Sequence, residues 1–152
     1  MKILINVMLS LFICSISTFA MAKDDTGIDN AKKLFEKYVD SETAFDPAVA
    51  DLFADEALIQ STRHYPEGNV RIAKFTAQQY RALLKISLPL AKSNGDKNTY
   101  SQITYTPDGN RVRIKCIRFS ELNNNSSNLE LLVGPDSKGQ WKIFEEISET
   151  QP

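Results

Sequence analysis

Between residues 28 and 39 the apolar positions Ile28, Ala31, Leu34, Phe35, Tyr38 and Val39 recur at helical spacing, with Lys32, Lys33, Glu36 and Lys37 between them. Thr26-Gly27-Ile28-Asp29 has the form of a capping box, so an amphipathic helix ending near Asp40 is predicted. Asp46-Pro47 sets an N-cap acid before a first-turn proline and predicts a second, shorter helix to about Ala54, with Val49, Leu52 and Phe53 on one face. Residues 57–65 read as a strand, which the turn Pro66-Glu67-Gly68-Asn69 returns as a shorter one over 70–73. Thr76 caps a third helix with Tyr80, Leu83, Leu84, Leu88 and Ala91 on one stripe. Pro89 is predicted to kink or shorten it, and Ser93-Asn94-Gly95 to stop it. Beyond Gly95 the pattern is strand and turn: 100–105, then 111–121 after Pro107-Asp108-Gly109, a polar loop at 123–127, then 129–133 and 140–148. Helices first and antiparallel strands afterwards, without repeats or linkers, predict one α+β domain.

The segment before residue 23 is different. Met1-Lys2 is followed by a run without charge from Ile3 to Ala22, rich in Ile, Leu, Val and Phe and ending Ala20-Met21-Ala22. A short positive start, an apolar middle and an A-x-A end predict a secretory signal peptide over 1–22, cleaved after Ala22. The mature domain is then 23–152, periplasmic or secreted, with no membrane association once the segment is removed. Cleavage takes Lys2 and Cys14 away, which lowers the net charge from −1 to −2 and leaves Cys116 alone in an exported chain. An internal disulfide is excluded, and Cys116, in the middle of a strand-like run, is expected to be buried and inert. One His and so few Cys predict no zinc site and no metal. No cofactor motif is present: there is no Gly-rich phosphate loop and no H-E-x-x-H. The charge balance gives no footprint for nucleic acid.

The stretch Phe45-Asp46-Pro47-Ala48-Val49-Ala50-Asp51-Leu52-Phe53-Ala54-Asp55-Glu56-Ala57 resembles the second helix and first strand of the nuclear transport factor 2-like superfamily, also called SnoaL-like. Gly139-Gln140-Trp141-Lys142-Ile143 is similar to that superfamily's closing strand. The resemblance covers about residues 28–149 and implies three helices packed in the concave side of a curved, mostly antiparallel sheet, a cone-shaped roll. It specifies a fold rather than a function, since members include enzymes, transport adaptors and binding proteins. The catalytic residues of two enzyme relatives are not matched. Where ketosteroid isomerase has its general base the alignment puts Ser61, and its second acid falls on Leu131; only its helix-one tyrosine finds a counterpart, Tyr38. The Arg-x-Asp pair of limonene epoxide hydrolases corresponds to Arg118-Phe119-Ser120, without the acid.

Strand alternation then sorts side chains by face. The resemblance implies that Ser61 and Arg63 face the cavity and that His64, the only histidine, points away. Val112, Ile114, Cys116, Arg118 and Ser120 share one face of their strand, and Trp141, Ile143, Glu145 and Ile147 share one of the last. A charge on an apolar face needs a partner or a route to water, so Arg118 and Glu145 are expected either to meet or to reach solvent. Tyr38, Ser61, Arg63, Tyr80, Arg118 and Glu145 are the candidate ligand-binding residues. Arg118 and Glu145 are expected to anchor a small apolar or carboxylate-bearing ligand, while the tyrosines are expected first of all to pack in the core with a hydroxyl partner. Arg111, Arg113 and Lys115 are expected to form a solvated face. Ile117, Phe119, Leu132 and Phe144 fall opposite Arg118, more apolar surface than an outer face needs, which predicts a homodimer through the convex side of the sheet. The leading expectation is an exported small-molecule-binding or accessory protein without catalysis. The alternatives are a cavity enzyme (isomerase, lyase or hydrolase) using Tyr38, Arg118 and Glu145, and a protein-interaction module using the convex face.

Overall fold

The computed structural model describes residues 25–150. The proposed signal segment and its cleavage point lie outside them. Among the described residues no helix is long and apolar enough to cross a membrane. Helix α1 spans Asp25–Thr43, a 3-10 helix spans Pro47–Leu52, and α2 spans Ala77–Asn94. The strands are β1 Phe53–His64, β2 Val70–Thr76, β3 Asn98–Asp108, β4 Arg111–Ser120, β5 Asn125–Pro135 and β6 Trp141–Thr150. They form one sheet in the order β2-β1-β6-β5-β4-β3, antiparallel throughout except where β1 runs parallel to β6. This is the α+β arrangement expected, with three helices on a curved and mostly antiparallel sheet.

Three boundaries differ in ways that bear on function. The α1 helix already includes Thr26, which therefore does not cap it, and it continues past Asp40 to Thr43. It closes with Phe45 N–H bonded to the Glu42 carbonyl at 3.0 Å and Asp46 N–H to Ser41 at 2.8 Å, and Phe45 adopts a left-handed φ of 55°. A bulky residue at a position that favours glycine gives no stop signal in the sequence. The α2 helix is capped by Thr76, whose hydroxyl accepts from Gln79 N–H while Gln79 Oε1 accepts from Thr76 N–H. It runs through Pro89 to Asn94, so the proline does not shorten it, and Gly95 at φ 69° terminates it. The stretch expected as a polar loop supplies the first residues of β5.

The core lies between the helices and the inner face of the sheet. Ala31, Leu34, Phe35 and Tyr38 of α1 and Leu84 and Leu88 of α2 pack with Ile59, Ile114, Leu129, Leu131, Val133 and Ile143. Leu131 and Ile143 are 1% and 0% exposed, at the centre of this core. Cys116 is a buried free thiol, pushed up to about 11 by burial. Arg81 braces α2 on the chain that precedes it. Its guanidinium bonds the Phe53 carbonyl and the Asp55 carboxylate, both at 2.8 Å, and the Ala50 carbonyl at 3.3 Å.

Candidate functional site

Alternation along β1 turns Ile59, Ser61 and Arg63 inward, and the register carries these rows across the sheet. Ile59 is level with Glu146 and Ser61 with Ser148, while Arg63 is level with Thr150. On the far side of β5, Arg118 pairs with Ser127 and with Tyr100 of β3. Exposure rises along β1 from Ile59 through Ser61 to Arg63, which marks the direction of the opening. Helix α2 closes the other side with Tyr80, Leu83, Leu84 and Ser87. The result is a cavity of about 410 Å³, apolar along Ile59, Phe75, Leu83 and Leu84 and polar where Arg118, Glu146, Tyr80 and the serines come together. Its volume sits toward the lower end of the roughly 300–1,000 Å³ typical of small-molecule pockets.

Of the residues proposed from sequence, Ser61, Arg63, Tyr80 and Arg118 line this cavity. Tyr38 is one layer behind it, 1% exposed, with its hydroxyl donated to Glu42 Oε1 at 3.0 Å. Glu145 does not meet Arg118. It lies on the outer face, where Arg113 Nη1 contacts its Oε2 at 3.1 Å. The cause is a β-bulge. Val133 pairs with Ile143 and the adjacent Leu132 with Glu145, so Phe144 is an extra residue in β6. One extra residue inverts the alternation beyond it. Ile143 keeps its inward place, Glu145 and Ile147 turn out, and Glu146 turns in.

Glu146 is the residue that strict alternation misses. It is 2% exposed; Oε1 accepts from the Tyr80 hydroxyl at 2.9 Å, and Oε2 has no hydrogen-bond partner among the described residues. Burial and then the charge of Glu42 push its carboxyl up to about 7, against the opposing pull of the Tyr80 bond, of Arg118 and of the nearby Tyr38 hydroxyl. Glu42, brought in by the extra turn of α1, accepts from Tyr38 and from the Tyr100 hydroxyl. Burial and the two carboxylates hold the tyrosine hydroxyls of Tyr38, Tyr80 and Tyr100 far above their ordinary range, so all three remain donors at any physiological pH. For Arg118, burial disfavours the charge, but Tyr38, Glu42, Tyr100 and Glu146 around it outweigh that and keep it ionised. Among the described residues its guanidinium makes one hydrogen bond, from Nη2 to the Glu149 carbonyl at 3.3 Å, which leaves donors for a ligand.

Arg71 of β2 faces the same cavity directly opposite Arg63, so the mouth is locally positive on a chain of net charge −1. His64 points away, as expected, with its Nε2 4.0 Å from a Glu149 carboxylate oxygen. Among the described residues there is no group of three or more His, Cys, Asp or Glu side chains suited to a metal ion. On the outer face the predicted basic run is more ordered than a solvated one. Arg113 contacts Glu130 at 2.6 Å, Glu145 at 3.1 Å and Asp108 at 3.2 Å, and Lys115 contacts Glu130 at 2.9 Å. Arg111 stacks 3.6 Å above the Phe144 ring. Leu132 and Phe144 are thereby 7% and 5% exposed within a single chain, and the bare apolar positions are instead Leu58, Val70, Ile72 and Ile147.

No protein-family model matches the sequence, and no curated protein matches it. Solved structures do. A cystatin-like, nuclear transport factor 2-like protein from Novosphingobium aromaticivorans superposes with a TM-score of 0.58 at 14% identity, covering 82% of this chain and 81% of that one. A nuclear transport factor 2-like protein of unknown function from Pseudomonas putida gives 0.63 at 12% identity over 80% and 84% of the two chains. One from Shewanella oneidensis, also of unknown function, gives 0.59 at 14% over 81% and 98%. At these identities the likeness is one of fold.

Proposed function

We propose that this chain, which has the nuclear transport factor 2-like fold, is a small-molecule-binding protein whose inner cavity holds a ligand with an apolar body and a polar end at Arg118. One observation carries this reading: a guanidinium with spare donors shares a 410 Å³ cavity with an apolar wall of Ile59, Phe75, Leu83 and Leu84. A few convergent polar groups on an apolar lining are what orient a bound small molecule. In keeping with the amino-terminal segment, the protein acts in the periplasm or outside the cell after cleavage following Ala22; amino-terminal sequencing that returned Met1 would overturn that part. The test of binding is calorimetry with 2-naphthoate, a rigid apolar body carrying a carboxylate. Wild type should bind, and Arg118→Met, which keeps much of the stem packing, should bind at least about tenfold more weakly with an unchanged circular dichroism spectrum. Equal affinity for the variant, or binding by wild type of neither 2-naphthoate nor its neutral amide 2-naphthamide, contradicts the reading.

The buried Glu146–Tyr80 pair favours a second reading, a cavity enzyme of the isomerase, lyase or hydrolase type in which Glu146 moves a proton. Exchange of the α-protons of 2-tetralone in D2O, followed by NMR, tests it. Acceleration by wild type that is lost in Glu146→Gln supports catalysis, and no acceleration removes it. We also propose that two copies pair through the convex face, now centred on Leu58, Ile72 and Ile147. Light scattering should give a dimeric mass that Leu58→Lys reduces to a monomeric one, and a monomeric wild type contradicts the pairing.

A further inference from the structure

The cavity contains one acid whose second oxygen is unexplained. Glu146 Oε2 is buried and has no hydrogen-bond partner among the described residues, while Oε1 is held by Tyr80. The groups around it are Tyr38 and Glu42 from α1, Tyr80 from α2, Arg118 from β4, and at the mouth Arg63 and Arg71 from β1 and β2. Tyr100 of β3 is engaged with Glu42. A buried carboxylate oxygen with nothing to accept from is costly, and a buried carboxylic acid with nothing to donate to is only less so. Burial and Glu42 favour the protonated carboxyl, for which the missing partner is an acceptor, and the cavity is the side from which one can arrive.

We propose that the cavity takes its ligand as a carboxylate, received jointly by the Arg118 guanidinium and by a proton on Glu146 Oε2, so that a proton enters the protein with each ligand. This rests on the ligand-binding reading above and adds the chemical class and the proton. Two carboxylates side by side cannot both stay ionised in a site that already has Glu42 behind it. One proton between them removes the repulsion, and the single charge that remains is matched by Arg118, whose planar fork suits a two-oxygen acceptor. The proton comes from solvent, no covalent bond changes, and Tyr80 keeps Oε1 occupied so that Oε2 presents it. A carboxylate is a strong enough base to share that proton, whereas a sulfonate is not.

Calorimetry of 2-naphthoate binding to the whole chain, at about pH 8 in Tris and in phosphate, reads the proton directly through the buffers' different ionisation enthalpies. The observed enthalpies should differ by the amount for nearly one proton taken up per ligand, with affinity falling about tenfold per pH unit above neutrality. Glu146→Gln should still bind, with no buffer difference and a flat pH response, and 2-naphthalenesulfonate should bind wild type at least about tenfold more weakly than 2-naphthoate. Binding with the same enthalpy in both buffers, or equal binding of the sulfonate, overturns the proton-sharing site and leaves the ligand-binding reading standing. Binding of 2-naphthamide but not 2-naphthoate overturns the carboxylate assignment alone. Failure of both to bind overturns both readings. If Glu146→Gln does not fold, the wild-type buffer comparison decides by itself.

Discussion

Glu145 and Glu146 are neighbours in the chain and lie on opposite faces of one sheet. Glu145 lies outside, one of three carboxylates gathered on Arg113. Glu146 lies inside, almost without exposure, its Oε1 held by the Tyr80 hydroxyl and its carboxyl pushed up to about 7 by burial and by Glu42. Its outer counterpart Glu130 shifts the other way, because the Lys115 and Arg113 contacts outweigh the effect of burial. Outside, charges neutralise one another within reach of water, so the surface holds together without needing a ligand. Inside, a carboxyl and a guanidinium are kept half-satisfied against an apolar wall. A single inserted residue, Phe144, decides which glutamate has which fate.

The sharpest way to break this contrast is to compare the cost of truncation on the two faces. Leu131→Ala, on the inner face, should cost about 2–5 kcal/mol in denaturant melts, whereas Lys115→Ala on the outer face should stay within about 0.5 kcal/mol. Near-equal losses would mean that the inner face is not the core.

The next test is pH. A carboxyl whose folded pKa of about 7 exceeds the ordinary 4.5 binds its proton more tightly in the folded state. Its contribution is therefore fully present below about pH 4.5, declines as pH rises to about 7, and is constant above that. The shift corresponds to about 3 kcal/mol. Glu146→Gln should remove that decline and stabilise the protein by a similar amount at alkaline pH, while Glu145→Gln should leave the decline in place. A Glu146→Gln variant with the wild-type pH dependence of stability would contradict the buried placement.

Smaller effects belong to the outer face. Arg113→Met should cost about 1 kcal/mol, less in high salt, because surface ion pairs are weak and screened. An insensitive melt at low salt would show that the network adds nothing. At Gly134 a Cβ would lie 2.5 Å from Arg111 Cγ, so Gly134→Ala must displace Arg111 from Phe144. The loss should be no more than about 1 kcal/mol, the scale of an exposed cation–π contact. A larger loss in thermal melts would mean that the backbone there cannot adjust.

Much of the fold was legible because residues 57–59 of β1, 112–116 of β4 and 129–131 of β5 alternate, so spacing put Ile59, Ile114 and Leu131 each on one face of its strand and the resemblance said which face is inner. The element order was legible for the same reason, together with the turn and cap signals at Thr76, Gly95 and Gly109. Half of the candidate site was not. Glu146 was lost to the bulge, although two adjacent acids in Ile143-Phe144-Glu145-Glu146-Ile147 already required one of them to face inward. Glu42 was lost because nothing in Ser41-Glu42-Thr43-Ala44 distinguishes one more helical turn from a loop, and the residue that ends the turn is a phenylalanine in a left-handed conformation. Tyr100 belongs to an edge strand whose other residues are mostly polar and exposed, where periodicity carries little information.

The measurement that bears most directly on the inner site is a 13C NMR titration of the glutamate side-chain carboxyls, with the Glu146 signal assigned by Glu146→Gln, in the free protein and with saturating 2-naphthoate. The free protein should show a Glu146 midpoint of about 7, and the ligand should move it upward by at least about one unit, since a second carboxylate beside it favours the protonated form. A midpoint near 4.5 that the ligand leaves unmoved would place Glu146 in water and contradict the account.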